Sequence, residues 1–137
     1  MQALGRQILV EYYDCNESRI NDIEFIEQSL LEATKESGAT LISHNFHKFS
    51  PYGISGVIVI AESHVAIHTW PEYNYAAVDI FTCGDTIDPW IIQEKLKDLF
   101  ESANVSSMEM KRGMFMVPQG QKLLFKPSSE VSAWNNK

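Results

Sequence analysis

Apolar residues come in short runs or alternate with polar ones along most of this chain, between clusters of Gly, Pro, Asn and Asp. Arg6 to Tyr13 is β-rich and is bounded by Asp14-Cys15-Asn16. From Asn21 to Ser37, Ile23, Ile26, Leu30 and Ala33 recur at the spacing of an amphipathic helix, and Gly38 stands where a C-terminal cap belongs. Thr40 to Phe49 reads as a strand with interleaved polar residues. Ser50 to Gly56 reads as a loop punctuated by one Pro and two Gly. Val57 to Ile60 is a continuous apolar run of the kind found in buried central strands, and Val65 to Thr69 is a further strand. Pro71 to Asn74 predicts a turn in which Asn74 tolerates a positive φ. Tyr75 to Phe81 alternates as a strand. Asp88 then caps a second helix with Pro89 in its first position, and Ile92, Leu96, Leu99 and Ala103 form its apolar stripe. Val105 to Met116 is a last strand, and the tail after Pro118 is polar and loosely held.

The predicted order is β-α-β-β-β-β-α-β. Most strand connections are too short for crossovers, so the sheet must be mainly antiparallel. Two amphipathic helices suffice to cover one face of it. The expected fold is therefore α+β, a two-layer sandwich with two helices on one face, in a single domain spanning 1–137. The other face must be solvated or covered by a partner, and Tyr12, Trp70, Tyr73 and Tyr75 point to a dimer.

Composition narrows the partners. The chain has 137 residues, 45% apolar and 21% charged, which suits one soluble domain with one core. A net charge of −7 without a Lys/Arg cluster argues against nucleic acid and anionic membrane. No apolar run is long enough to span a bilayer. The opening MQALGRQILVEYYDC reads as a strand rather than a signal peptide. Two cysteines, Cys15 and Cys83, make no disulfide framework and fit a cytoplasmic location.

Candidate chemistry concentrates at Glu62-Ser63-His64 and at His68-Thr69-Trp70-Pro71-Glu72, a carboxylate, a hydroxyl and two imidazoles at a break between β-rich segments. Ser63 has three readings. It is a polar strand end, or a hydrolase nucleophile, or a hydroxyl that attacks the carbonyl before it. The hydrolase reading lacks a G-x-S-x-G elbow. The self-processing reading needs backbone strain and a proton carrier. His64 and His68 fall on one face of a strand. A metal could recruit them with Cys83, His44 or His47, but no spacing matches a zinc pattern, so no metal is assigned. Cys83, beside Gly84, is either a small buried hydrophobe or a thiol facing a pocket. Ser55, Phe49 and Glu72 are by themselves a loop serine, a rim aromatic and a solvated turn carboxylate.

The run from Ser55 through Glu62-Ser63-His64 and His68-Thr-Trp-Pro-Glu72, with Tyr75 to Asp85 including Phe81-Thr-Cys-Gly-Asp85, closely resembles the prokaryotic S-adenosylmethionine decarboxylase proenzymes. The similarity takes in Gly5-Arg6, Glu36 to Ala39, Phe46 to Phe49 and Pro51 to Gly53, and covers most of residues 4 to 113. Asn74 stands where family members often have Gly, and nothing after Met116 matches. The resemblance implies self-cleavage between Glu62 and Ser63 into a β chain, residues 1–62, and an α chain, residues 63–137. Ser63 would become a pyruvoyl group, the cofactor, which forms a Schiff base with the substrate amine. By the same resemblance Ser55 supports the oxyanion at the Glu62 carbonyl, His68 takes the Ser63 α-proton and Cys83 is the proton donor in decarboxylation. Phe49 stacks on adenine and Glu72 binds the ribose hydroxyls. The implied substrate is S-adenosylmethionine, on the way to spermidine, and the implied assembly is a homodimer of processed αβ protomers with active sites near the interface. Two competitors share the scaffold. One is a pyruvoyl-dependent arginine or ornithine decarboxylase, disfavoured by Phe49 and Glu72. The other is an unprocessed, non-catalytic partner subunit, whose expected mark is loss of Ser63, His68 or Cys83.

Overall fold

Ile8, Val10 and Tyr12 alternate with Leu9, Glu11 and Tyr13, so one face of the first strand is apolar and the other mixed. The computed structural model describes residues 1–124 and shows this face split along the whole sheet. Strand β1 (Gln2–Tyr13) is followed by helices α1 (Glu17–Ile20) and α2 (Ile23–Glu36). Strands β2 (Leu41–Lys48), β3 (Ile54–Ile60) and β4 (Ser63–Trp70) come next, then a single 3₁₀ turn at Pro71–Tyr73. Strand β5 (Tyr75–Cys83), helix α3 (Pro89–Leu99) and strand β6 (Asn104–Phe115) complete the described chain. The strands form one six-stranded sheet in the order β2-β3-β4-β5-β1-β6, and every neighbouring pair is antiparallel.

Helices α2 and α3 pack on each other and on one face of the sheet. Ile26, Leu30 and Ala33 of α2 and Ile92 and Leu96 of α3 meet Ile8, Val10, Ile58, Ile60, Val65, Ile67 and Ile80, all almost wholly buried. Each fully buried aliphatic side chain contributes about 1.5–3 kcal/mol relative to exposure. Tyr12 reaches through this layer, with its ring edge-on to Phe100 at 5.5 Å and its hydroxyl donating to the Gln93 carbonyl at 2.9 Å. Burial pushes its phenol well above the usual range. The expected two-layer α+β architecture is the one observed.

The opposite face carries Leu9, Val57, Val59, Trp70, Met108 and Met110, each more than a third exposed, interleaved with Ser55, His64, His68 and Asp79. The apolar run Val57 to Ile60 is thus central in the sheet but buried on one side alone. Ile58 and Ile60 face the helices, while Val57 and Val59 face outward.

One local expectation is corrected, and two are sharpened. The helix read from Asn21 to Ser37 is α2, one continuous piece whose cap Asp22 accepts from the Glu24 and Phe25 N–H groups at 3.1 and 3.2 Å, while the separate four-residue α1, capped by Asn16, precedes it and has no counterpart in the sequence reading. Ser55 is not in a loop. The loop closes at Gly53 (φ 103°), whose carbonyl accepts from the Phe49 N–H at 2.8 Å, and β3 begins at Ile54. The turn expected after Trp70 is present as a 3₁₀ turn, ended by Asn74 at the expected positive φ, 52°. Of the tail, Gln121 and Leu123 bond the Gln2 side chain, and residues 125–137 lie outside the described residues.

Candidate active site

Two residues, Ala61 and Glu62, join β3 to β4, since Ile60 and Ser63 are opposite each other in the ladder. Glu62 takes φ 56°, the left-handed region, which costs a residue with a Cβ about 1–2 kcal/mol. The strained residue is therefore the one whose carbonyl belongs to the Glu62–Ser63 peptide bond. Cys83, at the end of β5, holds both sides of this bond. Its thiol donates to the Glu62 carbonyl at 3.1 Å, and its N–H donates to the Ser63 hydroxyl at 3.2 Å. Ser63 is nearly buried, 7% exposed. Glu62, Ser63 and Cys83 thus form one cluster.

Ser55 and His68 form another. They face each other across β3 and β4, with the Ser55 Oγ 2.7 Å from His68 Nδ1. Both line a cavity of about 240 Å³ with Phe49, Tyr52, Trp70 and Glu72. The Phe49 ring stands edge-on to His47 at 4.6 Å and is half exposed.

The two clusters are at opposite ends of one strand. Ser63 and His68 are five residues apart along β4, about 17 Å at the rise of an extended chain. An odd separation also puts them on opposite faces: Ser63 turns toward the helix layer with Val65, and His68 toward the open face. Within one chain, His68 and Ser55 do not reach the Glu62–Ser63 bond.

Sequence reasoning did not pair several of the groups around these clusters. His64 Nε2 lies 2.6 Å from Asp79 Oδ1 on the open face, and the Gln7 amide donates to the same oxygen at 3.4 Å. Trp70 and Tyr52 share the cavity with Phe49 and Glu72. Period-2 counting along β4 and β5 places His64 and Asp79 on one face and is the signal that could have paired them. A larger concavity, about 640 Å³, runs along Cys15, Asn16, Glu17, Ser18, Asn21 and Asn74 and contains none of the candidate residues. Cys15 itself is buried, and desolvation pushes its thiol up to about 11. Neither cysteine is in a disulfide. Among the described residues no group of three or more His, Cys, Asp or Glu side chains is disposed to hold a metal ion.

Seen as chemistry, the first cluster presents a strained carbonyl polarised by a thiol, with a hydroxyl on the next residue. The second presents an imidazole and a hydroxyl beside an aromatic cavity that carries one carboxylate.

Comparison with known proteins connects this arrangement to one family. A model of the S-adenosylmethionine decarboxylase family matches residues 6–113. The S-adenosylmethionine decarboxylase proenzyme of Thermosipho melanesiensis is 54% identical over 115 residues, 84% of this chain and 88% of that one. The proenzyme of Acidithiobacillus ferrooxidans is 51% identical over 113 residues, 82% of this chain and 85% of that one. Among solved structures, the adenosylmethionine decarboxylase of Aquifex aeolicus superposes with a TM-score of 0.81 at 30% identity, covering 88% of this chain and all of that one.

Proposed function

This chain belongs to the S-adenosylmethionine decarboxylase family, and from that membership we infer a proenzyme that cuts itself between Glu62 and Ser63 and then decarboxylates S-adenosylmethionine. The observation that carries the reading is the pair of hydrogen bonds from Cys83 to the two residues of that bond.

Self-cleavage follows from the groups present. The Ser63 hydroxyl oxygen attacks the Glu62 carbonyl carbon, the C–N bond breaks, and the nitrogen takes a proton, leaving an ester. The Cys83 S–H already points at the oxygen on which negative charge develops, and preorganised donors of this kind lower such barriers. Strain at Glu62 is released as the peptide bond opens. Removal of the Ser63 α-proton then expels the Glu62 carboxylate. After hydrolysis and loss of ammonia, the α chain begins with a pyruvoyl group. The residues fit such a group: a strained turn, a hydroxyl at the start of the second strand, and a thiol at the junction. When present, it supplies a carbonyl that takes up the substrate amine and draws off the electron pair left by departing CO₂. On this reading Cys83 returns a proton to the substrate, and Phe49 and Glu72 hold the adenine and ribose.

Ser55 and His68 serve this chemistry only if a second copy supplies them. Two copies stacked open face to open face, with strands running in reverse, put the Ser55–His68 end of one over the Ser63–Cys83 end of the other. A two-fold axis does this twice. The exposed Leu9, Val57, Val59, Met108 and Met110 are an apolar surface for that contact. The active assembly on this reading is a homodimer of processed αβ protomers with shared sites. The absence of disulfide bonding at Cys15 and Cys83 agrees with a cytoplasmic home, and among the described residues no helix is long and apolar enough to cross a membrane.

A second reading, decarboxylation of arginine or ornithine, would use the same bond. The cavity argues for a nucleoside, because three aromatic rings and an exposed carboxylate surround it. Intact-mass spectrometry with a CO₂-release assay tests the whole. Two chains divided at Glu62/Ser63 and CO₂ from S-adenosylmethionine are expected. A chain that stays whole ends the pyruvoyl reading, and CO₂ from arginine or ornithine alone reassigns the substrate.

A further inference from the structure

A row of aromatic rings crosses three strands on the open face. Trp70 of β4 faces Tyr75 of β5 in the ladder, and their rings stack with centroids 5.4 Å apart and planes 29° apart. Tyr75 in turn stacks on Tyr13 of β1 at 5.3 Å and 29°. Both tyrosine hydroxyls donate to one oxygen of Glu11, Tyr13 at 3.2 Å and Tyr75 in a shorter contact. Glu11 lies opposite Ala77, which lies opposite His68, so this carboxylate shares a cross-strand row with the Ser55–His68 pair. The row ends at the cavity, because Trp70 lines it beside Phe49 and Glu72.

We propose that Trp70 is a specificity-determining wall of the nucleoside cavity, and that Tyr75 and Glu11 are positioning residues that fix the plane of its ring. The proposal rests on the reading of that cavity as the site for the adenosyl part of the substrate. A tryptophan that is 40% exposed has no core to orient it. Tyr75 stacks on its indole, the His68 ring tilts against it at 6.2 Å, and the indole lines the cavity. Tyr75 cannot turn away without giving up its bond to Glu11. Desolvation, and then the bond to Glu11, hold the Tyr75 phenol above its ordinary range, so it stays a neutral donor at all physiological pH. The arrangement presents a flat, preset surface to a purine or to the sulfonium beside it, since both stack on or sit over aromatic rings. Presetting the ring in the unbound protein lowers the ordering cost of binding.

The test compares Trp70→Ala, Trp70→Phe, Tyr75→Ala and Tyr75→Phe in the processed enzyme, with wild type alongside. Self-cleavage is read by intact mass, KM and kcat by CO₂ release from S-adenosylmethionine, and nucleoside binding by the Kd for 5′-methylthioadenosine, which lacks the amino-acid chain. Loss of a base–aromatic stack lowers affinity by a factor of about 5 to 150. Trp70→Ala is expected to raise KM and the methylthioadenosine Kd together within that range, with cleavage complete and kcat down by less than about twofold. Trp70→Phe restores most of the affinity. Tyr75→Ala raises both constants, and Tyr75→Phe, which keeps the stack but loses the bond to Glu11, raises them by less. Unchanged KM and Kd in Trp70→Ala, or equal losses in Trp70→Phe and Trp70→Ala, would overturn the proposal. If Trp70→Ala does not accumulate, the Phe variants decide by the same two constants. A wild type that is cleaved but releases no CO₂ from S-adenosylmethionine defeats the underlying reading instead, and its methylthioadenosine Kd then shows separately whether Trp70 faces a nucleoside.

Discussion

The Cys83 thiol donates to the Glu62 carbonyl at 3.1 Å while the Cys83 N–H donates to the Ser63 hydroxyl at 3.2 Å, so one residue grips both partners of a single peptide bond. Replacing Ser63 by Ala removes the attacking oxygen and is expected to leave a single uncut chain, read by intact mass. Cys83→Ala removes one donor from the developing oxyanion, an effect of about 10²- to 10³-fold on a rate, but leaves the N–H bond to Ser63 in place. It should cut slowly. The fraction that is cut should decarboxylate at least about 10²-fold more slowly than wild type, as expected for loss of a general acid. Full activity of the cut Cys83→Ala enzyme would remove the thiol from the proton-donor role.

The separation of about 17 Å between the two clusters along β4 makes a prediction about mixtures. Ser63→Ala and His68→Ala chains are each expected to be deficient alone. Co-expressed, they form mixed dimers in which one shared site has both an intact Ser63 and an intact His68. With random pairing about a quarter of all sites are whole, and cleavage and CO₂ release should return to about that fraction of wild type. No recovery, with mixed dimers demonstrated by mass, would mean that each site is built from one chain.

Glu62 at φ 56° stores strain that a residue without a Cβ does not. In an uncut Ser63→Ala background, Glu62→Gly should raise the denaturant midpoint, with a gain of about 1 kcal/mol after the larger unfolded-state entropy of Gly is subtracted. With Ser63 present, the same substitution should slow cleavage, because the opening of the bond then relieves less. A lower midpoint would show that the turn is not strained.

Cys15 gives a stability effect with a definite sign. Burial lifts its thiol from an ordinary 9.0 to about 11 in the folded chain. The folded state disfavours the thiolate, so the stabilisation is complete below pH 9 and fades as pH rises toward 11. The tyrosines add to the loss at high pH, so the readout is a difference. Cys15→Ala should show a shallower fall in unfolding midpoint between pH 9 and 11 than wild type, and parallel curves would contradict it.

Much of this molecule is legible from residue order. Alternation located five strands closely, Asp88-Pro89 announced α3, and the motif residues carried the resemblance to the family. What stayed hidden was distance. Ser63 and His68 look adjacent in the sequence, yet an extended chain carries them far apart and to opposite faces. Ser55 looked like a loop residue because Gly53 and Gly56 flank it, whereas Gly56 is a ladder residue pressed by the Phe46 ring. Helix α1 is four residues long, too short for any periodicity to betray. Glu11 and Tyr75 are 64 residues apart, and no local pattern joins them.

The strand order carries a last consequence for a chain cut between Glu62 and Ser63 as proposed. Residues 1–62 supply β2, β3 and β1, and residues 63–137 supply β4, β5 and β6, so in the sheet β1 is clasped between two strands of the other piece. The pieces are interlaced, and neither can leave with its fold intact. The order of events is thereby one-way. A continuous chain can thread itself into this weave, but two severed pieces, once unravelled, must find each other at finite concentration before any strand is reseated. A protein cut in this way outlives its own folding instructions, and how long it persists is governed by how slowly it comes undone.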